Sequence, residues 1–273
     1  MMVVDQDKCI GCGLCVTDCF PKDIELVDGK AKFNNVTCIK CGHCIAICPT
    51  NAVSIEEYDM NEVLDYNKEK FSIEPDTLLN FIKFRRSVRQ FKQKQVEEEK
   101  IIKIIEAGRF TETGGNSQDV SYTVLRENLG EVRELTLKSL NDMGEHLLAN
   151  MTPKTRVYRR YAKMWVQMYK DYCENPNSPD LIFFKAPAVI VISSNLPVNG
   201  ALAASNMALM ANALGLGTVF SGFFTKAMND TKELRELAQI KRNKEVVACM
   251  MLGYPKVSYK RTVPRKLADI CWK

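Results

Sequence analysis

Two kinds of apolar periodicity divide this chain of 273 residues. Up to about residue 57 the apolar positions come in short alternating runs. Segments 24–27 (IELV) and 30–33 (KAKF) flank the pair Asp28-Gly29, a strong hairpin signal, and a further run follows at 52–55. Beyond residue 75 the period lengthens. Leu78, Leu79 and Ile82 predict a helix with Asp76 at its N-cap. A second helix is expected from about Val96. Glu97, Glu98 and Glu99 sit in its first turn, where the helix dipole favours acids, and Ile101, Ile104, Ile105 and Gly108 form its inward stripe. Val120, Tyr122 and Val124 alternate with Ser121 and Thr123 as a half-buried strand. The continuous apolar runs 188–192 and 246–252 predict central strands. Segment 201–214 predicts a small-residue-rich apolar helix closed by Gly215 and Gly217. The pattern is α+β, with residues 1–57 as one module, 58–75 as a charged linker without periodicity, and 76–273 as a larger module.

Composition changes this picture little. With 46% hydrophobic and 26% charged residues, disordered and collagen-like classes are excluded. Mean hydropathy is −0.19, and the most apolar stretch, 198–220, is interrupted by Asn199, Ser205, Asn206, Asn212 and Thr218, so it reads as a buried helix and not a membrane span. The N-terminus has no basic region followed by an apolar run, so no secretory signal is expected and the predicted location is cytoplasmic. Charge is more informative. The net +5 hides 8 acids and 5 bases within residues 1–57, which leaves +8 on the remainder and supports two modules.

The cysteines carry the first chemistry. Of 11, eight precede residue 50, and a reducing compartment favours metal binding by clustered thiols over a disulfide framework. CIGCGLCVTDC begins at Cys9 and CIKCGHCIAIC at Cys38, an internal repeat offset by 29 residues. Each copy has C-x2-C-x2-C-x3-C spacing. Three closely spaced thiolates wrap one cubane, and the fourth reaches the other. Cys9, Cys12, Cys15 and Cys48 are therefore assigned to one 4Fe-4S cluster, and Cys38, Cys41, Cys44 and Cys19 to a second. Zinc sites pair two CxxC units at wider separation and fit this spacing poorly. Proline follows Cys48 directly but follows Cys19 one residue late, a departure that removes no ligand. This region resembles a bacterial two-cluster ferredoxin over about residues 5–57. Cys249, inside an apolar strand, is read as a structural thiol.

The larger module carries four motifs in order: RRSVRQF at 85–91, GGNSQ at 114–118, GLGTVFSG at 215–222, and GYP with a later PRK within 253–266. Together they resemble the flavin-dependent nitroreductase family over about residues 78–126 and 183–273. Arg85, Arg86 and Arg89 offer bidentate donors suited to the phosphate of FMN, with Ser87 adding a hydroxyl. Gly114 and Gly115 permit close backbone approach to a ring edge, and Asn116 and Gln118 both donate and accept as flavin heteroatoms require. The resemblance implies that Ser221 and Gly222 lie by the ring, that Arg265 returns to the phosphate, and that the protein is a homodimer with FMN at the interface. The 201–214 helix is a candidate interface element or an ordinary core helix. Residues 150–173 match no motif. Tyr158, Tyr161, Trp165, Met168 and Tyr169 share one face of a predicted helix with bases opposite, either a lid for a flat substrate or an amphipathic helix packed on the core.

The expected fold is a small ferredoxin-like domain followed by a nitroreductase-like α+β flavoprotein domain. The expected activity is that of a flavin-dependent oxidoreductase. The two clusters would pass electrons to FMN, which would reduce a flat acceptor such as a nitroaromatic, quinone or activated alkene. The cofactor carries the chemistry, so no catalytic side chain is assigned. The alternatives are a non-catalytic electron carrier or redox sensor relaying electrons to a partner protein, or a flavin reductase or dehalogenase on the same scaffold. A small-molecule acceptor and an external electron donor are the expected partners, with no nucleic acid and no membrane.

Overall fold

Asp28 and Gly29 both adopt left-handed angles (φ 50° and 76°), the requirement of a type I′ turn, and close the predicted hairpin. The computed structural model describes residues 1–273, and in it the hairpin strands belong to the first of two compact units, Met1–Ile73 with Thr113–Ser117. In this unit β1 (Met2–Val4) precedes α1 (Leu14–Asp18), the hairpin β2 (Ile24–Val27) and β3 (Lys30–Phe33), α2 (His43–Ala46) and β4 (Val53–Ile55). β1, which has no signal in the sequence, pairs antiparallel with β4, Met2 opposite Ile55. The repeat is visible in the backbone: α1 and α2 each carry the third cysteine of their run and start from Gly13 and Gly42, both left-handed. Gly11 is required sterically. It has φ 67°, and a Cβ there would lie 1.9 Å from the Gly29 carbonyl oxygen. Met2, Ile24, Ala31, Val53 and Ile55 pack with Cys9, Cys15 and Cys44 as this unit's core. Segment 58–73 holds two short helical turns, Met60–Glu62 and α3 (Lys68–Phe71). Asp59 and Asn67 start them by accepting hydrogen bonds from backbone N–H groups two and three residues on.

The second unit is Glu74–Glu112 with Gln118–Lys273. It opens with α4 (Pro75–Phe84), capped by Glu74 and not by Asp76. The Glu74 carboxylate accepts from the Asp76 and Thr77 N–H groups, and Pro75 takes the first helical position, where its missing N–H costs nothing. α5 spans Glu98–Arg109 with Ile101, Ile104 and Gly108 buried, as the stripe predicted. Next come β5 (Ser121–Leu125) and α6 (Leu129–Ala149), a long helix absent from the sequence reading, then α7 (Arg159–Glu174) and β6 (Ala188–Ser194). The order closes with α8 (Pro197–Ala213), β7 (Gly217–Phe220), α9 (Gly222–Asp230), α10 (Lys232–Leu237) and β8 (Glu245–Gly253).

The four strands form one antiparallel sheet in the order β5-β6-β8-β7. Every residue of β6 is buried. Val189 and Val191 enter one core with Leu137, Leu140, Trp165 and Phe224, while Ala188, Ile190 and Ile192 enter another with Ile101, Ile104, Met207 and Ala211. Helices thus cover both faces, which is why an antiparallel strand carries an unbroken apolar run. Cys249 of β8 is fully buried, and burial pushes its thiol up to about 12. The 150–173 alternatives resolve toward packing: Ala162, Trp165 and Met168 of α7 are buried, and the last two join the first of these cores. No helix is long and apolar enough to cross a membrane.

Candidate active site and cluster cages

Cys9, Cys12, Cys15 and Cys48 line one cavity, and Cys19, Cys38, Cys41 and Cys44 line another. These are the two crossed sets that the spacing predicts. All eight are free thiols. Burial pushes the Cys44 thiol up to about 12, with the neighbouring Cys41 and Cys38 adding to it, and burial likewise raises Cys15. A positively charged iron core favours the thiolate form of its ligands, and binding it releases the thiol protons. Backbone N–H groups already point at the sulfurs. Asp23 N donates to Cys19 Sγ at 3.4 Å and Ala52 N to Cys48 Sγ at 3.3 Å, at the same step of the repeat. Ala31 N serves Cys9 and Lys40 N serves Cys38, each at 3.4 Å. The residues fit two 4Fe-4S clusters.

In the second unit, the 85–91 segment lies along the sheet edge. Ser87 bridges Thr218 of β7 in parallel, Val88 N donates to the Thr218 carbonyl at 2.9 Å, and Phe91 bridges Pro255. This places Arg85 and Arg86 in a cleft of about 700 Å³ shared with Arg265, within the size range of small-ligand sites. Ala201, Ala204, Ser205 and Ala208 of α8 form its small-residue wall, and Phe220 and Val263 are among its larger apolar lining residues. Lys83, Arg85, Arg86 and Arg265 give it four cations, and no carboxylate lines it. Arg86 donates through Nη2 to the Lys83 carbonyl, while its Nε is buried without a partner. An unpartnered buried donor in a cation-only cleft fits a ligand carrying a dianionic phosphate, as FMN does.

The other site residues predicted from the sequence are distributed as follows. The Ser87 carbonyl accepts from the Tyr259 hydroxyl at 3.2 Å. Arg89 lies over the Phe184 ring, 5.9 Å from its centroid, and does not line the cleft. Ser221 caps α9, its hydroxyl accepting from Phe224 N at 3.3 Å, and the exposed Gly222 opens that helix. The next residue, Phe223, meets Tyr161 and Trp165 edge-on at 5.7 and 5.6 Å. Gly115, Asn116 and Gln118 all have positive φ (60°, 53° and 45°), in a 3-10 turn at Gly114–Asn116 and just beyond it. Residues Thr113–Ser117 group with the N-terminal unit, where the Asn116 amide donates to the carbonyls of Ile39 and Lys40.

Comparison with known proteins matches the Nitroreductase family model over residues 82–254. The chain belongs to the nitroreductase family. The 4Fe-4S dicluster domain matches residues 1–49, so this family member is a ferredoxin–nitroreductase fusion, an oxidoreductase with a two-cluster 4Fe-4S domain. A protein of Archaeoglobus fulgidus named as an NADH dehydrogenase/NAD(P)H nitroreductase is 28% identical over 182 residues, 65% of this chain and 85% of that one. A ferredoxin of Pyrobaculum islandicum is 41% identical over 54 residues, 19% of this chain and 50% of the relative. Among solved structures, a nitroreductase from Bacteroides fragilis with bound FMN superposes with a TM-score of 0.53 at 20% identity, covering 71% of this chain and 98% of that chain.

Sequence reasoning missed several residues of this nitroreductase site. The small residues of α8 that wall the cleft carry no motif, and Val263 and Tyr259 come from a C-terminal stretch without secondary structure. The Asp119 carboxylate, which accepts from Asn195 N, Leu196 N and Asn199 Nδ2 and so fixes the start of α8, was also missed. Its position directly after GGNSQ was the one available signal.

Proposed function

We propose that this protein reduces a flat, oxidised organic acceptor, such as a nitroaromatic, quinone or activated alkene, with electrons supplied through its N-terminal clusters. When bound, FMN provides two-electron chemistry and the clusters provide single electrons. The protein's own task is binding and orientation. Arg85, Arg86 and Arg265 hold the phosphate by charge-assisted hydrogen bonds, and Gln118, Ser221 and Gly222 are assigned to the ring edge by the family pattern. Ser87 holds the 85–89 segment against β7. The observation that carries this reading is the buried, unpartnered Nε of Arg86 in a cleft lined by four cations and no acid.

A second copy of the chain completes the site in this reading. Val198 and Leu202 of α8 are exposed, as are Leu267, Ile270 and Trp272 of the C-terminal stretch. Such apolar side chains on a helix and on the C-terminal stretch support a homodimer. The test is anaerobic reduction of the purified protein with dithionite, followed optically, and then addition of acceptors from each class. Reoxidation of both chromophores by one class is expected. Loss of flavin absorption on desalting, or indifference to every acceptor, would overturn the proposal.

A further inference from the structure

Asn116 stands in the motif that pointed to flavin, yet its side chain ends on the backbone of the second cysteine loop. Nδ2 donates to the Ile39 carbonyl at 2.9 Å and to the Lys40 carbonyl at 2.9 Å. Both partners are obligate acceptors, which fixes the orientation of the amide. The Ile39–Lys40 peptide is therefore held at both ends. Its C=O receives Asn116, and its N–H, which belongs to Lys40, donates to Cys38 Sγ at 3.4 Å. Amide, peptide and ligand sulfur form one series.

Two principles give this series a consequence. Hydrogen bonds in series polarise one another, by roughly 10–30% per bond. Hydrogen bonds to ligand sulfurs are among the levers that set cluster potential, because reduction adds negative charge that a better donor stabilises. The first copy of the repeat lacks this arrangement: Cys9 takes its hydrogen bond from Ala31 N on β3. The last cysteines of the two runs share one backbone donor pattern, Asp23 N to Cys19 and Ala52 N to Cys48, and Cys48 has the Thr50 hydroxyl besides at 3.7 Å. Asn116 is thus one source of asymmetry between the two cages.

We propose that Asn116 is a positioning residue for the cluster held by Cys19, Cys38, Cys41 and Cys44, and that it raises that cluster's reduction potential through the Ile39–Lys40 peptide. Asn116 has φ 53°, so two replacements that tolerate left-handed backbone separate the side chain's role from folding. Asn116→Gly removes the amide. Asn116→Asp keeps its shape and replaces both donors with a carboxylate. The experiment is a potentiometric titration of the anaerobic holoenzyme, read by visible absorption and EPR, with iron and FMN content measured in parallel.

In Asn116→Gly one of the two cluster potentials is expected to fall by about threefold in the reduction equilibrium, ~30 mV for a one-electron step. The fall is larger in Asn116→Asp, and the other cluster and the FMN content stay unchanged. Loss of iron from that cage alone, with FMN retained, supports the same role. Unchanged potentials in both variants, or reduced FMN content with unchanged potentials, overturn it and return Asn116 to the flavin pocket. Neither readout depends on the acceptor, so this test stands apart from that of the proposed reaction.

Discussion

The side chain of Val88 occupies the space that a Cβ on Gly217 would need, with three of its carbons 2.6 to 2.9 Å from that point. Val88 is β-branched and has little rotamer freedom, and its own N–H is tied to the Thr218 carbonyl at 2.9 Å. Gly217→Ala is therefore expected to displace the 85–89 segment and to destabilise the protein by about 1–3 kcal/mol. Flavin content should fall with it, because Arg85 and Arg86 ride on that segment. Adding Val88→Ala should recover part of the stability, measured as coupling in a double-mutant cycle of melting temperatures. Additive effects would show that the contact is not the cause.

The cation-lined cleft makes a second prediction. Arg265 lies on a stretch without secondary structure, so Arg265→Gln should leave the fold intact. A charge-assisted hydrogen bond contributes about 1.5–3 kcal/mol, so FMN affinity should drop by roughly 10- to 100-fold. The loss should shrink at high salt. Arg86→Lys should also weaken binding, since a point charge cannot reproduce the guanidinium fork. Fluorescence titration of apoprotein with FMN reads both.

Crossed ligation of the clusters is testable by iron counting. Cys12→Ala and Cys48→Ala act on one cage, so the double variant should keep about four irons per chain, by the ligand count of one remaining cubane. Cys12→Ala with Cys19→Ala acts on both cages and should lose nearly all iron. Equal retention in the two double variants would contradict the crossed sets.

Acid stability should depend on Glu97. The Tyr254 hydroxyl donates to its carboxylate at 2.5 Å, and together with the helix backbone and Lys94 it holds the carboxyl at about 2, below an ordinary value of 4.5. A depressed folded value means that the contribution is complete above about pH 4.5 and is lost as pH falls toward 2. Tyr254→Phe should raise the Glu97 value and move the acid-unfolding midpoint to higher pH, followed by circular dichroism at low salt. The group is exposed, so the shift should fade as salt rises.

Tyr122 offers a prediction of opposite sign. Its hydroxyl is buried without a hydrogen-bond partner, and burial raises its value to about 12. Tyr122→Phe removes an unsatisfied polar atom, so thermal stability should hold or rise by about 1 kcal/mol. A clear loss of stability would mean that the hydroxyl has a partner, such as a buried water.

Much of this is legible in the sequence. The hairpin at Asp28-Gly29, the α5 stripe and the buried β6 and β8 runs all rest on local rules of spacing and turn chemistry. Failures had physical causes too. The cap of α4 moved to Glu74 because Pro75 is comfortable at the first helical position. α6 was missed because its buried Val132, Thr136, Leu137, Leu140, Asn141 and Gly144 include polar and small residues that blur the apolar stripe. β1 is only three residues long and becomes a strand only opposite β4.

What the chain order determined alone was the pair of cysteine sets, since ligand spacing within ten residues is a property of the backbone and the repeat made the crossing readable. It also marked Arg85, Arg86, Arg89 and Arg265 as candidates for an anion site. Only the tertiary structure decided that Arg85, Arg86 and Arg265 share one cleft while Arg89 goes to Phe184, and that the Asn116 amide grips a peptide 77 residues away. Those outcomes depend on which distant surfaces meet, and a side chain able to donate to a flavin or to a carbonyl carries no mark in sequence that tells which it will find.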